Sequence, residues 1–103
     1  KVDLGRVKAC IIFDQTNKKI LSAYGISSVL SNATGDYFIY LEKAFKTRDW
    51  VANLSSDSAD QQIIRSSQTP NSIRVITRTS GTAVDGTFYL TCFGELEDEG
   101  ELG

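Results

Sequence analysis

Five aspartates carry what chemistry this chain could do: Asp36, Asp49, Asp57, Asp60 and Asp85. Two carboxylates facing each other across a cleft would make a glycoside hydrolase. Each of the five, however, sits in a segment that reads as a turn, where a short carboxylate caps the loop and accepts hydrogen bonds from nearby backbone. Ser56-Asp57-Ser58-Ala59-Asp60 could offer oxygens to a calcium ion, but it lacks the spacing and the glycine of an EF-hand loop. The chain has no histidine. That removes the commonest general base, the usual triads and most zinc sites. Lys18 and Lys19 follow a turn and show no cue for the desolvation that a catalytic lysine needs. Cys10 and Cys92 have neither C-x-x-C nor metal-like spacing. They lie on the expected first and last strands, where they would form a disulfide if those strands are neighbours, or remain two half-buried thiols. The reading is therefore of a non-enzymatic protein with no cofactor and no metal.

The elements that would position these residues have a period of two. Val7, Ala9, Ile11 and Phe13 share one face of a first strand, and Gln15–Lys19 is a polar turn. Ile20–Leu30 reads as one long second strand with Ile20, Tyr24, Ile26 and Leu30 on one side; Gly25 within it marks a bulge or a close backbone approach. Tyr37–Glu42 is a third strand behind a Gly-Asp turn. Trp50–Leu54 is a fourth and Gln62–Ser66 a short fifth. Ile73–Arg78 follows the turn at Pro70-Asn71, and Thr87–Phe93 closes the chain after a loop over Ser80–Gly86. Helix signals are poor. The expected fold is all-β, an antiparallel β-sandwich of about seven strands with little or no helix. One domain covers 1–94, and an acidic tail covers 95–103.

That tail carries Glu95, Glu97, Asp98, Glu99 and Glu101, five of the thirteen acids. Without it, eight acids stand against eleven bases. The tail reads as a solvated terminus or as a segment docked on a basic patch of a neighbouring subunit. The body has no basic cluster with interleaved aromatics, so nucleic acid is not an expected partner. No run approaches the about 18 apolar residues of a membrane helix, and no membrane insertion is expected. Asn32-Ala33-Thr34 and Asn53-Leu54-Ser55 match the N-glycosylation sequon, which would matter only in a secreted eukaryotic protein. The chain opens on Lys1-Val2-Asp3-Leu4 rather than Met, as a processed chain or a piece of a longer protein would.

The third strand is apolar on two faces. Tyr37, Ile39 and Leu41 line one side, Phe38 and Tyr40 the other. A sandwich strand ordinarily buries one face and wets the other. Leaving a large apolar side chain exposed forfeits about 1.5–3 kcal/mol relative to burying it. Phe38 and Tyr40, with Ile12 and Ile76, are accordingly expected at a subunit interface. The polar loop tips are the expected ligand-facing positions: Asn32, Thr34, Asp36, Asp57, Asp60 and Asp85.

Several of these segments together resemble a known family. Ile26-Ser27-Ser28-Val29 and Ala33-Thr34-Gly35-Asp36-Tyr37 resemble the V-S-S-V strand end and G-T-G-D-Y turn found in a small C-terminal β-domain. That domain belongs to bacteriophage tail-fibre and related virion structural proteins. Lys8-Ala9-Cys10-Ile11-Ile12-Phe13-Asp14 is similar to its opening K-A-W-V-N-F-N, with Cys10 in place of the usual Trp. Ala44-Phe45 stands where the family has Ala-Met, and the proline that usually follows is absent. Ser72-Ile73-Arg74-Val75-Ile76-Thr77, then Asp85, then Cys92-Phe93-Gly94 resembles its closing S-V-R-I-x-T … D … V-F-G. The resemblance spans Arg6 to Gly94. It implies a β-sandwich in a virion, most simply a homotrimeric tail-fibre or appendage domain for attachment to the bacterial host surface. Its partners would be copies of itself, other virion proteins and a surface glycan or protein. A capsid decoration or tail connector protein would use the same fold as structural glue, and an adhesin or lectin module of cellular origin is a further reading.

Overall fold

The computed structural model describes residues 5–56 and 60–98. Nine strands follow one another: β1 (Ala9–Asp14), β2 (Lys19–Tyr24), β3 (Ile26–Ala33), β4 (Asp36–Leu41), β5 (Val51–Ser56), β6 (Gln61–Thr69), β7 (Ser72–Thr79), β8 (Thr82–Ala83) and β9 (Thr87–Phe93). They form two antiparallel sheets, ordered β2-β1-β9-β5 and β3-β4-β7-β6, with β8 on β7. The molecule is an all-β sandwich, and no helix occurs among the described residues. It has nine strands rather than about seven, because the expected second strand is two and the 80–86 loop contains the short β8.

The four central strands bury alternate residues. Ala9, Ile11 and Phe13 of β1 and Phe88, Leu90 and Cys92 of β9 face Tyr37, Ile39 and Leu41 of β4 and Ile73 and Val75 of β7. Each strand lies within a residue or two of its expected bounds. Phe13 packs edge-on to Tyr37 at 5.4 Å and tilted to Phe88 at 5.7 Å, an aromatic group spanning both sheets.

Ile20–Leu30 is not one strand. Gly25 has φ of +71°, and a Cβ there would lie 2.9 Å from the Lys8 carbonyl oxygen. A left-handed residue pressed against backbone is a place for glycine. The chain turns there from the first sheet to the second, so β2 and β3 are lateral edges of different sheets. A register shift in β2, where Ser22 pairs with Ile12 and Ile20 with Phe13, leaves Leu21 as the extra residue. Ile20 and Tyr24 consequently fall on opposite faces, against the side assigned them by simple alternation. β6 is longer than expected, nine residues. A second shift, between Arg65 and Ser67, interrupts its period.

The domain does not end at residue 94. Leu96 is 6% exposed and bridged to Phe45. The Lys46 N–H donates to the Glu95 carbonyl, and the Glu97 N–H to that of Ala44. Ion pairs join Lys46 to Glu95 and Lys43 to Asp98. Residues 95–98 thus belong to the fold: Leu96, set among acids, fills a slot beside Phe45, which stacks on Trp50 at 4.8 Å. Residues 99–103 lie outside the described set.

Cys10 and Cys92 are free, although β1 and β9 are neighbours. Register separates them: Ala9 opposes Cys92 and Cys10 opposes Thr91, so the sulfurs point to opposite faces. Burial pushes the Cys92 thiol up to about 12. An aromatic disulfide reagent at neutral pH is expected to label one thiol per native chain, Cys10, and two in denaturant. Two rapid equivalents from the native protein would contradict this burial.

Candidate functional site

Strand direction alternates without exception along β1–β7, and β9 runs antiparallel to β1 and β5. The connections 15–18, 34–35 and 80–86, and with them Asp60, therefore gather at one end of the sandwich. The opposite end holds Gly25, the 42–50 connection, the turn at 70–71 and residues 94–98. The expected ligand-facing residues Asn32, Thr34, Asp36, Asp60 and Asp85 all belong to the first end. Asp57 lies outside the described residues.

Two of these aspartates are engaged by other groups of the chain: Asp85 among the loops, and Asp36 on the outer face of the second sheet. Asp85 accepts hydrogen bonds from the Gly35 N–H at 2.8 Å and the Tyr37 hydroxyl at 2.9 Å, and pairs with Lys18 at 3.3 Å. Asp36 takes a forked pair of bonds from Arg74 Nε and Nη2, at 2.9 and 2.6 Å, and a third from Asn32 Nδ2 at 3.0 Å. Both carboxylates are bonded within the chain, so their first role is to hold loops in place. Asn32, Thr34 and Asp60 are exposed at this end.

Three partners in this network, Gln15, Lys18 and Thr77, are not among the expected site residues. Gln15, fully buried, donates to the Thr77 hydroxyl at 3.0 Å and accepts the Gly86 N–H at 2.7 Å. The Thr77 hydroxyl donates to the Val84 carbonyl at 2.6 Å. Lys18, in a left-handed conformation with φ of 55°, donates to the Tyr37 hydroxyl at 2.5 Å and to the Gln15 carbonyl at 3.1 Å. Together they fasten the first turn, the β3–β4 hairpin and the 80–86 connection to one another. A glutamine in a polar turn looks the same in sequence whether it is buried or solvated.

The electrostatics of the cluster keep protons where they ordinarily are. The hydrogen bond to Tyr37, and then that to Asp85, raises the Lys18 ammonium. Burial raises the Tyr37 phenol, against the lowering effect of Lys18. The lysine is thus a cation and the phenol neutral at neutral pH, which suits a structural tie and does not produce a general base. Among the described residues there is no group of three or more candidate metal ligands.

The Arg74 guanidinium lowers the Asp36 carboxyl below its ordinary value of 3.8, against a smaller opposing effect of burial. A carboxyl depressed in the folded state stabilises the fold above its unfolded pKa, and that contribution is lost as pH falls through the folded value. The urea midpoint is expected to fall as pH is lowered below about 4. Asp36→Asn should flatten much of that acid limb. Asp14, lowered chiefly by its hydrogen bond from Asn17, supplies part of the remainder. An unchanged limb in the variant would remove Asp36 from the account.

The expected interface residues fall on two different surfaces. Phe38, Tyr40 and Ile76 lie on the outer face of the second sheet, where Phe38 opposes Arg74 and Ile76 opposes Asp36. Ile12 lies on the outer face of the first sheet, beside Tyr89 and Ser22. The four therefore do not form one patch; single-strand alternation cannot tell which sheet a face belongs to. Phe38 and Tyr40 are half-buried, stacked with centroids 6.4 Å apart, and Arg74 lies 5.4 Å over the Phe38 ring. Leu30 and Ile64 extend this apolar face toward both edges.

Comparison of the chain with protein-family models, with curated proteins and with solved structures finds no match.

Proposed function

We propose that this domain is a non-enzymatic structural module of a bacteriophage virion, a homotrimeric piece of a tail fibre or similar appendage that presents its loop end to the bacterial surface. One observation carries the reading. The residues on which the family resemblance rests, scattered along the chain, are bonded to one another. Gly35, Asp36 and Tyr37 of the turn meet Arg74 and Thr77 of the S-I-R-V-I-T run and the isolated Asp85, through the Gly35–Asp85, Tyr37–Asp85 and Asp36–Arg74 contacts and the Thr77 N–H to the Gly35 carbonyl. A chance likeness of short words has no reason to assemble into one network.

The apolar outer surfaces support assembly, because three copies about an axis can cover what one sandwich leaves half-exposed. Placing all strands along that axis would turn Asn32, Thr34 and Asp60 of every copy toward the same tip, where polar loops can meet a surface glycan or protein. Light scattering is expected to return three times the chain mass of 11.3 kDa. Antibody to the domain should label fibre tips on the parent virion. A stable monomer at micromolar concentration would sink the trimer, and label confined to cells with none on particles would sink the virion assignment.

A further inference from the structure

The open edges of the first sheet are β2 and β5, each six residues long. Among the described residues no strand pairs with the outer edge of either. All six residues of β2 are exposed, including Ala23 and Ile20, which share the inward face with Ile11 and Phe13. Leu21 and Tyr24 are 53% and 60% exposed, and Val51 on β5 is 55% exposed. Natural sheets usually blunt such an edge or cover it.

Direction restricts what can cover it. β2 runs from the loop end to the far end, and β5 runs back. About a three-fold axis parallel to the strands every copy points the same way, so β2 of one copy meets β5 of the next antiparallel. A two-fold joining β2 to itself antiparallel would send the two loop ends in opposite directions.

Side-chain faces then match along the whole edge. Tyr24 opposes Cys10 and Val51 opposes Phe93, and both point outward. Set Tyr24 against Val51. Ala23 then meets Ala52, both inward, and Ser22 meets Asn53, both outward. The extra residue Leu21 shifts the count by one, so Ile20 meets Leu54, both inward, and Lys19 meets Ser55, both outward. Without Leu21 the isoleucine would face the wrong side, since a one-residue slip exchanges faces. We propose that the partner of β2 is β5 of a second copy of this chain, paired antiparallel in this register. This rests on the trimeric reading above and gives it an edge contact in the first sheet, separate from the outer face that carries Phe38 and Tyr40.

Cross-linking tests it in a Cys10→Ser background, which removes the half-exposed thiol on neighbouring β1. Cysteines at directly opposed positions come close enough to bridge. Oxidising a mixture of Ser22→Cys and Asn53→Cys chains should give covalent heterodimers. The double variant should give a three-chain species on a non-reducing gel, and each single variant alone should give neither. Ile20→Glu, at an already exposed position, should reduce the native mass threefold while near-ultraviolet circular dichroism stays unchanged. A Ser22→Cys variant that dimerises with itself overturns the proposal in favour of β2–β2 pairing. A threefold native mass without heterodimers overturns it and leaves the trimer standing. A monomeric parent chain overturns both.

Discussion

Tyr37→Ala is expected to remove a large part of the domain's stability, about 3–5 kcal/mol or more. The ring is fully buried, meets Phe13 edge-on and sits near the start of β4, paired with Val75. Truncating a buried aromatic costs about 3–5 kcal/mol, from lost transfer free energy and the cavity left behind. The whole stability of a domain this size is about 5–15 kcal/mol. The hydroxyl adds to the loss, because the substitution takes a donor from Asp85 and an acceptor from Lys18. Tyr37→Phe separates the two parts. It keeps the ring and should cost only about 1–2 kcal/mol, the usual effect of removing one hydrogen-bonding group. Urea titration of the three proteins measures this directly. An alanine variant no less stable than the phenylalanine one would mean the core closes over the gap, and Tyr37 would lose its place as the post that joins core to loop end.

How much of this architecture the sequence announces depends on position in the sheets. β1, β4, β7 and β9 are central and bury alternate residues, and their apolar and aromatic content marks them in the sequence. The edges are harder. β2 and β3 run together as one apolar stretch, and only the geometry at Gly25 shows that the chain changes sheets there. β6 is polar and interrupted, so its period is lost. The same limit applies to the candidate site. Asp36 and Asp85 are recognisable as turn residues, but turn chemistry does not say that Asp85 will reach Tyr37, forty-eight positions away. Ile12, Phe38, Tyr40 and Ile76 are recognisable as surplus apolar residues on outward faces. Which sheet each face belongs to is a property of topology, and topology is what single-strand periodicity omits.

Gly35→Ala is the second large effect, and a paired control shows why. Gly35 has φ of +67°, and a Cβ there would stand 2.5 Å from the Thr77 carbonyl oxygen and 2.9 Å from that of Val84. Both are backbone atoms, so neither can swing aside as a flexible side chain would. Gly81 has φ of +81° with nothing within 4 Å of a Cβ. The two positions share the left-handed penalty, about 1–2 kcal/mol for a residue with a Cβ, and differ only in the collision. Gly81→Ala should therefore cost about 1–2 kcal/mol. Gly35→Ala should cost on the order of 3 kcal/mol or more, in the range reached by enforced backbone strain. The excess has a specific meaning. Relieving the clash requires the β3–β4 hairpin to move away from β7 and from residue 84. That movement breaks the Gly35 N–H to Asp85 bond and loosens the Tyr37 hydroxyl from the same carboxylate. If urea midpoints for the two alanine variants coincide, the hairpin is free to relax, and the loop end is not a single rigid unit.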